Sequence, residues 1–112
     1  MKIFAATLIK KNLVKVLKLN FPKLKRGQVL VKIKYSSICH TQLQEIQGLR
    51  GKDRFLPHCL GHEATGVTLS CGPGVKKVKK NDKICISWLS SKGINSGGTF
   101  YNFNKKKINA GP

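Results

Sequence analysis

Cys39, His40 and Thr41 form one short run, and Gly61, His62 and Glu63 form a second. A thiolate and an imidazole are both good zinc ligands, and Cys39 and His62 supply one of each. They lie twenty-three residues apart, which is not a zinc-finger spacing, so two separate loops have to bring them to one ion. A catalytic zinc takes three protein ligands and keeps a fourth position for water or substrate. Thr41 adds a hydroxyl that can donate and accept in one hydrogen-bond relay. Each residue also has an ordinary structural use. Thr41 suits a helix N-cap, His40 an exposed polar position, and Glu63 the end of a strand. Cys59, Cys71 and Cys85 are expected to be packing residues, small and apolar.

The elements around these runs are mostly strands. Ile3 to Ile9 is a short apolar run closed by Lys10, Lys11 and Asn12, and Leu13 to Leu19 follows, so the two read as a hairpin. From Val29 the alternation is clear, with Val29, Val31, Ile33 and Tyr35 on one face and Leu30, Lys32 and Lys34 on the other. Cys39 to Gln47 changes period and predicts one or two helical turns, stopped at Gly48. Gly48 to Pro57 is a charged loop. Val67, Leu69 and Cys71 alternate as a strand, and Cys71-Gly72-Pro73-Gly74 is turn chemistry. Ile84, Ile86 and Trp88 are expected to face inward on a last strand. From Ser90 onward the period fades into a Gly-rich, irregular segment, with Phe100, Tyr101 and Phe103 as anchors. The fold class expected is mainly β: a small, partly open barrel with one or two short helices.

Composition narrows the setting. Of 112 residues, 22 are Lys or Arg and only 4 are Asp or Glu, for a net charge of +18. Such a field attracts phosphates and acidic surfaces. Nearly all the cations are Lys, whereas sequence-specific nucleic-acid readers lean on Arg. The positive surface is therefore read first as a solvated one. No stretch approaches the roughly 20 apolar residues of a membrane span, and the apolar run after Lys2 is too short for a secretory leader. The four cysteines are accordingly expected to be reduced thiols in a cytoplasmic protein.

The segments Val29-Leu30-Val31-Lys32-Ile33, Ile38-Cys39-His40-Thr41 and Leu60-Gly61-His62-Glu63, with Pro57, Gly66-Val67, Gly72, Gly74-Val75 and Asp82, form a spaced series. The series resembles the N-terminal, GroES-like catalytic domain of the zinc-dependent medium-chain alcohol dehydrogenases, from the N-terminus to about Trp88. The resemblance implies a GroES-like barrel. It implies that Cys39 and His62 are two of three catalytic zinc ligands and that Glu63 is the acidic neighbour tuning the ion. It implies that Thr41 takes the alcohol proton and that His40 lies near the cofactor pyrophosphate. An alcohol or aldehyde substrate and NAD or NADP are the partners implied, with oligomerisation possible through a further domain.

Three departures qualify the resemblance. Gln42 stands where the family has an aspartate that orients the ligand histidine, and changes at such supporting positions cost about 10–100-fold in metal affinity or activity. Asn81 replaces a turn glycine and tolerates left-handed geometry. No cysteine follows Cys85, so the four-cysteine structural zinc lobe of many members is not expected. Residues 1–89 are read as the GroES-like domain and 90–112 as an irregular segment in place of that lobe. No strand, Gly-rich turn and helix of the dinucleotide-binding kind is found, so a Rossmann domain is expected to be absent from the chain. Alone, the chain is expected to retain zinc weakly and not to turn over alcohol. Two other readings are a basic, nucleic-acid-binding barrel and a non-catalytic remnant. Nucleic acid is not expected as a partner, because the Lys residues are spread out and Tyr35 and Trp88 fall on core-facing positions.

Overall fold

A computed structural model describes residues 2–110. Strand β1 (Lys2–Lys10) turns at Lys11 and Asn12 into β2 (Leu13–Asn20). Asn12 takes the left-handed place in the turn, φ 61°, which Asn tolerates better than most residues. The register sets Ile3 opposite Leu19 and Ala5 opposite Leu17, so their side chains share one face while Val16 and Lys18 lie on the other. Strand β3 is Val29–Ser36, helix α1 is His40–Gln47, β4 is His58–Cys59, and β5 is Ala64–Cys71. Three more strands follow: β6 (Lys83–Ile86), β7 (Phe100–Phe103) and β8 (Lys106–Asn109).

The chain divides into two units. One holds β1, β2, α1, β4, β7 and β8, and its five strands close a barrel in the order β1-β2-β7-β8-β4. Closure depends on the two-residue strand β4, which pairs antiparallel with β1 at Thr7 and Leu8 and parallel with β8 at Asn109. Leu17, Leu19 and Ile108 are its buried core, with Ile3, Ala5, Ile9, Cys59, Tyr101 and Phe103 packed against it. Full burial of one such leucine stabilises by roughly 1.5–3 kcal/mol. The other unit, Lys23–Ser37 with His62–Gly97, is an antiparallel sheet of order β3-β5-β6.

The hairpin, the helix, its stop at Gly48 and the strands β3 and β5 stand where the sequence puts them. Beyond Ser90 the expectation of an irregular segment is corrected. Residues 100–109 fold as a hairpin, with Tyr101 and Phe103 half-buried. Its two-residue turn, Asn104-Lys105, has both residues at positive φ, 46° and 65°, the twist that two-residue hairpins prefer. Lys105 has none of the glycine signature of that turn, so the hairpin hides in the sequence. Gly111 and Pro112, the end of the expected 90–112 segment, lie outside the described residues.

The inward placement of Ile33, Tyr35 and Trp88 is also corrected: they are 49%, 80% and 68% exposed. Register shifts in the β3–β5 ladder after Leu30 and after Ile33 break the two-residue alternation, and each slip exchanges the faces beyond it. Trp88 lies past the end of β6 at Ile86, where no ladder orients it. The argument against nucleic acid that rested on core-facing Tyr35 and Trp88 therefore falls. Cys85 is exposed, not packed.

Candidate metal centre

Cys39 is the residue at which the chain leaves extended geometry (φ −109°, ψ 152°) and enters α1. Its N–H donates to Gln42 Oε1 at 2.6 Å, and the Gln42 N–H donates to the Cys39 carbonyl at 3.0 Å. This reciprocal pair satisfies backbone groups that a helix start leaves unpartnered. The cap role is thus filled at Cys39 and Gln42, and Thr41 does not serve as one. Gln42 is only 6% exposed. Its amide oxygen, at the position where the aspartate of the resembled family stands, is used to fix the backbone of Cys39. The far end of α1 is tied down by the Asn12 N–H, which donates to the Ile46 carbonyl at 2.7 Å.

Cys39 is half-buried, and its thiol donates to Thr41 Oγ1 at 3.5 Å. Thr41 is half-buried, and His40 is exposed at the first helical position. Thiol, hydroxyl and imidazole are therefore presented by one helical turn.

In the other unit, His62 and Glu63 occupy the bend before β5. The Ser37 N–H donates to the Glu63 carbonyl at 3.2 Å, and Ser37 Oγ donates to Glu63 Oε2 at 3.0 Å. Glu63 Oε1 lies 3.7 Å from His62 Nε2. The carboxylate thus has the Ser37 hydroxyl on one oxygen and the His62 ring on the other. Glu63 also lines a cleft of about 400 Å³ with Tyr35, Ser36, Ser37, Thr65 and Ser87. Sequence reasoning missed Ser37, whose only signal is a hydroxyl pair after a strand.

It also missed His58. This residue is fully buried, with Nδ1 2.8 Å from the Cys59 carbonyl and Nε2 2.6 Å from Asp53 Oδ2; Glu45 Oε2 is 3.8 Å from the same nitrogen. Each ring nitrogen thus faces an oxygen acceptor, the Cys59 carbonyl on one side and the Asp53 carboxylate on the other. Burial works to raise the Asp53 carboxyl, but the Phe55 N–H and the hydrogen bond and charge of His58 outweigh it and hold Asp53 below its ordinary value. Burial pushes the Cys59 thiol up, against a hydrogen bond from Thr7, and pushes Tyr101 up with help from Cys59. Cys59 is thus a neutral packing residue, as the sequence suggests.

Among the described residues, no group of three or more His, Cys, Asp or Glu gathers as a cation site. One unit holds Cys39 with Thr41, and the other holds His62 with Glu63. The half-buried thiol and the His62 ring, 26% exposed, are donors of the kind zinc takes. As a donor set they fit two of its positions.

The sequence pattern of the alcohol dehydrogenase GroES-like domain matches residues 25–108. An alcohol dehydrogenase of Geobacillus stearothermophilus is 41% identical over 70 residues, covering 62% of this chain and 21% of the relative. An NAD-dependent alcohol dehydrogenase of Sulfolobus acidocaldarius is 36% identical over 77 residues, covering 63% of this chain and 22% of the relative. The solved apo structure of zinc dependent alcohol dehydrogenase 2 from Streptococcus pneumonia superposes with a TM-score of 0.67 at 31% identity, over 78% of this chain and 25% of that one. The chain spans about a fifth of the length of these curated relatives.

Proposed function

The chain belongs to the alcohol dehydrogenase GroES-like domain family, and from that membership we propose that it is the zinc- and substrate-binding part of an oxidoreductase. The reaction takes an alcohol to a carbonyl compound, with a hydride passing to NAD or NADP. The observation that carries this reading is the family match over residues 25–108, which spans Cys39, His40, Thr41, His62 and Glu63 together.

We assign Cys39 and His62 as two zinc ligands. The Lewis acidity supplied by bound zinc makes an alcohol hydroxyl more acidic. Thr41 Oγ1, 3.5 Å from the Cys39 sulfur, would accept a hydrogen bond from the alcohol hydroxyl and release its own proton to the next acceptor, so that it relays the proton and does not keep it. Glu63, oriented by Ser37, sets the electrostatics around the His62 ring. His40, exposed at the helix start, binds the cofactor's pyrophosphate. The cofactor carries the redox chemistry; a domain that binds it lies outside these residues, and no turnover is expected from them alone. Oligomerisation would also rest on such a domain. None of the helices among the described residues is long and apolar enough to cross a membrane. The cysteines of the described residues form no disulfide, which fits a reducing compartment, and we place the protein in the cytoplasm.

Cobalt titration of the purified chain tests the ligand assignment, because a thiolate–cobalt charge-transfer band reports sulfur ligation directly. A band that Cys39→Ala abolishes, and that His62→Ala shifts to at least about tenfold higher cobalt concentration, is the expected result. A band that survives both substitutions removes the assignment.

A further inference from the structure

Residues 74–78 and 90–96 line a cleft of about 770 Å³ within the β3-β5-β6 unit. Arg26, Lys76, Lys77 and Lys92 line it, and no acidic side chain does. Among the described residues no Lys or Arg is within 4.0 Å of a carboxylate, so these four charges are not neutralised by the protein. The nearby Asp82 carboxylate accepts the Lys79 backbone N–H at 3.0 Å and does not line the cleft.

The cleft is built and not merely a crowd of lysines. Ile94 sits so close to Gly27 that a β-carbon there would lie 2.5 Å from Ile94 Cγ2. Gly74, at φ 78°, has Ile94 Cδ1 and Arg26 Nε 3.2 and 3.3 Å from where its β-carbon would stand. The Gly27 N–H donates to the Pro73 carbonyl at 2.9 Å, holding that wall to the turn. Lys77 Nζ lies 3.4 Å from the place of a β-carbon on Gly93, so the second wall also presents a cation over bare backbone. Ile94 and the valines beside it give the space an apolar floor.

We propose that this cleft binds a small organic phosphate carrying two or more adjacent phosphoryl groups and an apolar body. Unpaired cations within a concave, partly apolar wall concentrate anions far better than the same charges on an open face. Arginine adds a planar fork that matches phosphate oxygens, and lysines add point charges. The volume is that of a small-molecule site, whereas a nucleic-acid strand calls for a groove that tracks its backbone. None of Cys39, Thr41, His62 and Glu63 lines the cleft, and it stands or falls independently of the dehydrogenase reading.

Inorganic pyrophosphate is the probe, titrated calorimetrically into the 112-residue chain at about 150 mM salt, where long-range surface charge is screened. Saturable binding is expected, weakened by about tenfold or more in Arg26→Gln/Lys77→Gln. The control Lys15→Gln/Lys34→Gln removes the same charge elsewhere and should change binding by less than about twofold. Thermal melts report whether each variant folds, and Lys76→Gln/Lys92→Gln replaces the first pair should that pair unfold. No saturable binding at this salt overturns the proposal, and so does equal weakening in the control. A single-stranded oligonucleotide that binds and is not displaced by pyrophosphate also overturns it, in favour of a nucleic-acid surface.

Discussion

His58 Nε2 and Asp53 Oδ2 are 2.6 Å apart, with the ring wholly shut off from solvent. In a chain of net charge +18, this places one of the few carboxylates against a fully buried imidazole. Removing the carboxylate leaves a buried donor facing an amide. Asp53→Asn should therefore destabilise the barrel unit by roughly 1–3 kcal/mol at neutral pH, read from urea denaturation midpoints.

The same pair fixes the sign of a pH effect. The Asp53 carboxyl titrates below its ordinary value of 3.8 in the folded chain. Its contribution is present above about pH 5, where both folded and unfolded forms are ionised, and is lost as the pH falls through the folded value. Stability should fall on acidification in this window, and Asp53→Asn should flatten that part of the profile. An unchanged acid slope in the variant would count against the pairing.

Lys105 sits at φ 65° in the β7–β8 turn, a conformation costing roughly 1–2 kcal/mol for residues with a β-carbon. Glycine removes that cost but adds freedom to the unfolded chain, so Lys105→Gly should stabilise by a net of about 0.5–1 kcal/mol. Thermal and urea unfolding measure it. A destabilised variant would mean the turn is not the two-residue kind described.

A β-carbon on Gly66 would collide with the Lys32 carbonyl and crowd Val31 Cγ1. The first obstacle is backbone, which cannot rotate away. Gly66→Ala should force β3 and β5 apart and cost about 1–3 kcal/mol, with faster amide exchange confined to that ladder.

Gln42 and Thr41 should separate cleanly. Gln42→Ala removes the side-chain oxygen that accepts the Cys39 N–H and should cost about 1 kcal/mol. Thr41→Ala removes no cap and should change stability by less than about 0.5 kcal/mol. Equal losses in the two variants would reassign the cap.

The sequence carried much of this architecture, and the reasons it failed elsewhere are specific. The hairpin of Ile3–Ile9 and Leu13–Leu19 was legible because two short apolar runs flank a Lys-Lys-Asn turn, and its ladder keeps one register from Lys2 to Leu8. In β3 the two-residue alternation crosses two register shifts, and Tyr35 emerges on the outside. The β7–β8 hairpin was hidden because its turn uses Asn104 and Lys105 in place of glycine. Cys39 and His62 stand out in the sequence because their types suit a metal, and Thr41 and Glu63 stand out only through the family resemblance. His58, Asp53, Glu45 and Ser37 do not stand out, because their importance comes from burial and from partners far along the chain. That the buried Gln42 amide secures the start of the helix had no signal in the sequence, where Gln42 stood only as a departure from the resembled family.

The barrel is sewn shut by His58 and Cys59, and its wall is completed only by Phe100–Asn109. On the ribosome, the first hairpin therefore emerges long before its neighbours exist. Until the last strand clears the exit tunnel, both margins of that hairpin stay open to other chains. Non-local pairing of this kind slows folding and prolongs exposure, so newly made copies should depend on holdase chaperones more than the small size of the chain suggests.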